Sequence, residues 1–432
     1  LALLLVMTAI SLGYEWVEQF YRGVAVNGIL SFPSFDAPWM PVHTAQVAII
    51  GNHYFGDFQL PYGWGLNVRE NISPYLGSAI PANYPPLAIL FYVPFTFLPV
   101  KFATGLFLVL TSVVFILPLW ILLSPLRSTY RCIMLVPIVL MAAPFISTLD
   151  RANNIGIGIG LAAWSLVAWR NERWLWCGIL LAAAIAFKVY PVALLVVPLA
   201  LRRYRFAVLV AVAVVSSNLL ALACIPGGFV QNLRAVIPAM TSQRLTTGES
   251  QLTSLSLYSL VPKVAGLLFG PGYTAQYLEP DRFLLWLPSV LYLVFVFIII
   301  QRHRVPQWCW GPLGLASIQL VVPQSGAYTA GWACLGAIWF ASGSLIRDGL
   351  KDGDEISVYQ DDKPLRISLM LALTASLVPS IFSILGAGGF STSATRFLSP
   401  ALLFVTLCLA MAKSFSPPPV VIPHEVRSLP VS

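Results

Sequence analysis

Apolar positions in this chain come in long uncharged blocks. Phe102 to Leu123, Phe206 to Ile225 and Phe283 to Ile300 each approach the ~20 residues that cross ~30 Å of hydrocarbon. A soluble core helix of that length carries a polar stripe repeating every ~3.6 residues, and these blocks have none. They predict bilayer spans. The same pattern marks segments at about 84–99, 102–123, 132–148, 155–169, 174–187, 190–201, 206–225, 283–300, 307–322, 328–346, 367–389 and 397–412. A first apolar stretch, Leu1 to Gly13, reads as a span cut short in preference to a signal peptide, because no A-x-A-like cleavage site follows. The expected fold is all-α and polytopic, a bundle of about a dozen transmembrane or re-entrant helices.

Several segments are too short to cross alone. Val189 to Ala200 makes only ~18 Å of α-helix at ~1.5 Å per residue, so broken or re-entrant helices are expected. Parity adds to this. Passing from an outer first loop to a cytoplasmic Arg127 takes an odd number of crossings, yet 84–123 holds two apolar blocks, so either the first is re-entrant, which is the favoured reading, or one basic loop departs from the charge rule. Such backbone persists at membrane depth only against protein or a wet cavity. The outer loops are read at about 14–83 and 226–282, and a polar cytoplasmic loop at 347–366. In the first, Thr44 to Ile50 reads as a juxtamembrane helix at the interface, flanked by Trp39, Tyr54, Tyr62 and Trp64. Residues 1–413 form a single transmembrane catalytic domain in this reading, and the Pro-rich tail 414–432 is expected to be disordered.

Composition agrees: 58% of the residues are hydrophobic and 10% charged, against about 25% charged in an ordinary soluble domain. The net charge of +8 would suggest nucleic acid in a soluble protein, but its placement excludes that. Arg127 with Arg131, Arg170 with Arg173, Arg202-Arg203 with Arg205, Arg302 with Arg304, and the 347–366 segment form short basic clusters between spans. By the positive-inside rule these orient the chain. The six cysteines lie in or beside apolar runs without a CxxC spacing, which argues against a disulfide framework or a zinc site.

Once the cytoplasmic clusters are set aside, few charges remain near the opposite boundary, and each is costly there. Asp36, in Ser34-Phe35-Asp36-Ala37-Pro38, is a candidate general base that would take a proton from an acceptor hydroxyl; an N-cap carboxylate is the alternative. Asp57 belongs to the same sparse set. In Asp150-Arg151-Ala152-Asn153-Asn154, Arg151 suits a phosphate and the two amides suit sugar hydroxyls, unless the charges merely pair or cap the next helix. Gly156, Gly158 and Gly160 lack the dinucleotide spacing and read as close helix packing. Lys188 lies midway between two basic loops, hence on the other side or deep in the membrane, where it either snorkels or meets an anion. Arg396 is a similar candidate for a lipid phosphate. His43 and His53 are ten residues apart and give no metal-ligand spacing. Asn71-Ile72-Ser73 matches a glycosylation sequon, a triplet frequent by chance.

An outer loop with an Asp and a juxtamembrane helix comes first. Asn83-Tyr84-Pro85-Pro86-Leu87, an Asn-bearing turn, and Lys188-Val189-Tyr190-Pro191 before Arg202-Arg203 follow in that order. This succession resembles the GT-C fold glycosyltransferases of family 87, most fully over residues 1 to 210. The resemblance implies a metal-independent, inverting transfer from a polyprenyl-phosphate sugar, of the mannose or arabinofuranose class, to a glycolipid or cell-envelope glycan. It implies no cofactor beyond that lipid-linked donor, membrane lipids as surroundings, and a site facing outward from a bacterial plasma membrane. Asp36 matches the family's first-loop Asp and would be the base. Lys188, Arg151 and Arg396 would hold the departing phosphate. His43, His53, Tyr84, Asn153, Asn154 and Tyr328 would face sugar or acceptor. Two motifs depart from the family: its Gly-Gln-x-Asn turn reads Arg151-Ala152-Asn153-Asn154, and its Ser-Trp-x-His-like turn reads Ser325-Gly326-Ala327-Tyr328.

A transporter or lipid flippase is the competing class, since it too builds sites from broken helices. It would show charges within spans and halves of matched hydropathy, and this sequence shows neither. A non-catalytic membrane scaffold leaves the unequal loops unexplained.

Overall fold

The computed structural model describes residues 56–78, 81–124, 152–242 and 282–301, with isolated helical positions between 129 and 148 and between 314 and 335. Among the described residues all regular structure is helical and there is no strand. Helix α1 spans Gly56–Arg69. Helix α2, Pro86–Tyr92, tightens into a 3-10 turn, Val93–Phe97, and α3 follows at Val100–Leu122. Helices α4, Ile155–Arg170, and α5, Trp174–Phe187, come next; a second 3-10 stretch, Tyr190–Leu195, opens into α6, Val196–Ala200. The remaining described helices are α7, Tyr204–Cys224, α8, Phe229–Ser242, and α9, Arg282–Gln301.

The apolar blocks read from the sequence coincide with α3, α4, α5, α7 and α9 to within a few residues. Expectations for Leu1 to Gly13, the helix at 44–50, the spans beyond 322, the 347–366 loop and the 414–432 tail lie outside the described residues. Two helices occupy stretches read as loop. Helix α1 contains Gly56, Gly63, Gly65 and Pro61, residues of poor helix propensity. Aromatic packing overrides that preference, because Phe58 sits at 5.0–6.0 Å from the rings of Tyr62, Tyr92, Phe95 and Phe107. Helix α8 carries the pattern of a surface helix, with Asn232, Val236 and Ala239 buried and Phe229, Val230 and Ile237 exposed.

Helices α3 and α7 are long and apolar enough to cross a membrane, and each carries an exposed face that is apolar along its length. On α3, Ala103, Phe107, Phe115 and Leu119 are buried, while Phe102, at 72% exposed, and Val109, at 62%, stand on the opposite face with Leu106, Val113 and Leu117. On α7 the exposed set is Val208, Val212, Val215, Leu219 and Leu220. Continuous apolar stripes of this kind are not tolerated in water; in a bilayer they are the solvent-matched surface.

The block at 84–99 is broken as the sequence suggests. Pro85 precedes the helix, Pro86 is its first residue, and Pro94, which has no N–H to donate, stands where the α-helix gives way to 3-10. Seven α and five 3-10 residues rise only ~20 Å. Both ends touch α1: the Trp64 ring packs edge-on against Tyr84, and the Tyr62 hydroxyl donates to the Leu98 carbonyl at 3.0 Å. The segment thus starts and finishes beside one helix. Val189 to Ala200 is likewise a composite, 3-10 then α, with Pro191 and Pro198 within it.

Helix α4 is the centre of the bundle, packed between α3 and α5. A Cβ on Gly160 would meet the Val114 carbonyl oxygen at 2.6 Å, and one on Gly156 the Thr111 methyl at 2.5 Å, whereas Gly158 faces α5 with its nearest atom at 3.9 Å. Gly156 and Gly160, one turn apart, therefore let α3 and α4 approach to backbone contact, which the glycine series had suggested. Arginines gather at one end of this core. Arg170 donates to the Leu122 and Ile121 carbonyls and to Ser124 at 2.8–2.9 Å, capping the orphan carbonyls at the end of α3. Arg131 donates to the Ser124 carbonyl, and Arg203 lies 3.9 Å over the Trp174 ring. Basic clusters from three separate loops thus share one face.

Replacing Gly160 with valine should lower stability by about 1–3 kcal/mol through overpacking against a backbone carbonyl, while Gly158→Ala should be near neutral. Thermal unfolding of the detergent-purified proteins distinguishes the two; equal melting temperatures would remove the close approach as a constraint.

Candidate active site

At the end opposite the arginines, α4 begins and α5 finishes, and polar groups collect there. The chain enters α4 through a tight turn in which Ala152 has φ 48, a left-handed conformation that costs an L residue on the order of 1 kcal/mol. Ala152 is buried among Phe58, Tyr62, Tyr92, Phe107 and Phe187, and that packing holds the turn. It presents Asn153, which is 3% exposed. The Asn153 carbonyl oxygen Oδ1 accepts from the Ile155 N–H at 2.9 Å, satisfying one orphan donor of the helix start. Its Nδ2 donates to Asp57 Oδ2 at 2.7 Å, tying α4 to the first turn of α1. Asn154, fully buried, donates through Nδ2 to the Phe187 carbonyl at 3.4 Å, and its Oδ1 has no hydrogen-bond partner.

Lys188 follows directly. It has left the helix into extended backbone, and its Nζ lies 4.0 Å from the Tyr84 ring centroid and 5.8 Å from that of Tyr190. The side chain thus turns onto an aromatic face. Tyr84 is held in turn: its carbonyl accepts the Tyr75 hydroxyl at 2.9 Å, and the Trp64 ring meets it at 5.4 Å and 73°. Burial pushes the Tyr75 phenol well above its ordinary value, so it remains a protonated donor to Tyr84. Three residues further on, the Leu87 N–H donates to Asn218 of α7 at 3.3 Å.

Helices α1 and α8 cover this rim. Ser73 donates to Asn232 Oδ1 at 2.6 Å, and Asn232 Nδ2 donates to the Ile225 and Pro226 carbonyls, joining the loop after α1 to the chain leaving α7. Arg69 closes α1 with a hydrogen bond to the Thr96 carbonyl and a contact with the Phe97 ring.

Four of the residues singled out from the sequence therefore meet at one end: Tyr84, Asn153, Asn154 and Lys188. Asp36, His43, His53, Arg151, Tyr328 and Arg396 lie outside the described residues. Asp57 is the member that sequence reasoning passed over. It was visible as one of few charges near this boundary, but its partner is 96 residues away, and no local pattern reports such a contact. Chemically, the rim offers an ammonium, buried amides and a hydrogen-bonded carboxylate beside a lipid-facing bundle.

The class so defined is a helical membrane protein with a polar rim at one end. Residues 83–323 match the model of glycosyltransferase family 87, more than half of the 432-residue chain, and the chain belongs to that family. It is a membrane glycosyltransferase. The match opens on the Asn83-Tyr84-Pro85-Pro86 segment and takes in Asn153, Asn154 and Lys188, but not the α1 residues or the loop after α1; it also runs well past residue 210, where the resemblance is weaker. No curated protein matches the chain.

The Asp57–Asn153 pair predicts a reciprocal rescue. Asn153→Asp sets two carboxylates against each other and should cost about 1–3 kcal/mol; adding Asp57→Asn restores a donor and an acceptor and should recover most of it. Thermal unfolding of both proteins checks this, and a double variant no more stable than Asn153→Asp would dismiss the pair.

Proposed function

We propose that this glycosyltransferase moves a mannose- or arabinofuranose-class sugar from a polyprenyl-phosphate donor to a hydroxyl of a glycolipid or cell-envelope glycan. The reaction is placed on the non-cytoplasmic face of a bacterial plasma membrane, in a multi-pass GT-C bundle of about a dozen helices. The observation that carries the reading is the polarity of the bundle. Lys188, Asn153 and Asn154 gather at the end opposite Arg131, Arg170 and Arg203, and the positive-inside rule assigns the arginine end to the cytoplasm.

In this mechanism the acceptor oxygen attacks the anomeric carbon as the bond from that carbon to the phosphate oxygen breaks. Attack from the face opposite the leaving group inverts the configuration. The acceptor proton passes to Asp36, the general base, and the bonding electron pair leaves with polyprenyl phosphate. That product gains a negative charge, so cations at the rim lower the barrier by stabilising charge as it develops. Lys188 is the first such cation, and from the sequence Arg151 and Arg396 are assigned the same role. Asn153 and Asn154, with His43, His53 and Tyr328, supply hydrogen bonds to sugar and acceptor. No metal is required, because the leaving group's charge is met by side chains.

Purified protein incubated with a panel of polyprenyl-phosphate sugars should label an acceptor glycolipid from one donor class, with no loss on adding EDTA. Asp36→Ala should abolish transfer while the protein still purifies as a monodisperse, cooperatively melting species; full activity in that variant rejects Asp36 as the base. Lys188→Ala should raise the donor KM more than the acceptor KM, and an unchanged donor KM would take Lys188 out of the phosphate site.

A further inference from the structure

Tyr84 and Lys188, distant in sequence, each belong to one of the two motifs Asn83-Tyr84-Pro85-Pro86 and Lys188-Val189-Tyr190-Pro191, and they meet face to ammonium. A cation within ~6 Å of a ring centroid is drawn to the negative face of its π system. At 4.0 Å from the centroid the Lys188 ammonium rests on the Tyr84 ring, with Tyr190 flanking it at 5.8 Å. The ring beneath is immobile. Tyr84 is 7% exposed, the Trp64 edge abuts it, the Tyr75 hydroxyl holds its carbonyl, and Pro85 follows it with φ −57. A lysine side chain, by contrast, is flexible and loses considerable rotamer freedom when ordered. The rigid partner therefore sets where the mobile charge stands.

We propose that Tyr84 is a positioning residue whose ring, rather than its hydroxyl, holds the Lys188 ammonium ready for the phosphate of the donor. This rests on the reading of Lys188 as a phosphate-binding cation, and it moves Tyr84 from the sugar to that cation. A ring suits the task better than a carboxylate. It fixes one side of the ammonium without itself bringing a negative charge to cancel the lysine's. A carboxylate in the same place would neutralise the lysine and compete with the phosphate. The attraction also gains strength where water is excluded, as at a lipid-bordered rim. The same contact pins α5's end to the start of α2, so the broken segment and the cation are placed together.

The test uses full-length protein in detergent and polyprenyl monophosphate, the product that carries the phosphate without the sugar, as the probe. Tyr84→Phe, which keeps the ring and loses the hydroxyl, should bind it to within about twofold of wild type, while Tyr84→Leu should weaken binding about tenfold. Phenylalanines with increasing fluorination at position 84 should weaken it stepwise as the ring face loses negative potential. Phe as damaging as Leu, a flat fluorination series, or Leu with wild-type affinity would each overturn the proposal. If Lys188→Met itself binds polyprenyl monophosphate like wild type, the phosphate reading of Lys188 fails, and the melting temperature decides the positioning claim. A stepwise fall with fluorination that disappears in the Lys188→Met background upholds it; the same slope with and without the lysine defeats it.

Discussion

The closeness of α3 and α4 is the constraint on which the rest of the arrangement depends. Between helices in lipid there is no hydrophobic drive to associate, so close van der Waals contact at small residues has to supply the attraction. Gly156 and Gly160 provide it, with Gly160 against the Val114 backbone. Once that contact is made, the position and direction of α4 are settled. The turn before it, with Ala152 buried in an aromatic cluster, must then deliver Asn153 and Asn154 to one spot on the rim.

The two ends of the bundle use charge differently. At one, arginines cap helix carbonyls and stack on tryptophans, an arrangement that stabilises helix termini and orients the chain. At the other, among the described residues, Asp57 is engaged by Asn153 and Lys188 by Tyr84, in each case a group distant in sequence.

Aromatic residues do the holding at the rim. Phe58, Tyr62, Tyr92, Phe95 and Phe107 make one cluster that fastens α1 over α2 and α3. Trp64, Tyr75 and Tyr84 belong to a second that includes Leu222 and Ile225 at the end of α7. Such rings bring large contact area at little loss of rotamer freedom, and they tolerate both apolar and polar neighbours. The rim can therefore be rigid without being dry.

Sequence alone determined the class of molecule, because uncharged blocks of about 20 residues have one stable environment, and α3, α4, α5, α7 and α9 fall where those blocks lie. It also determined which end is basic, that Val189 to Ala200 is too short for a plain span, and the meaning of the glycine series. Helix α1 was illegible, since its glycines and proline argue against a helix and only contacts with Tyr92, Phe95 and Phe107 outweigh them. Asp57 was legible as an unusual charge but not as the partner of Asn153, and Tyr84 and Lys188 were legible as two motifs but not as one contact. Periodicity and propensity act over a few residues, whereas these pairings depend on how separate helices pack, and only the tertiary structure decided them.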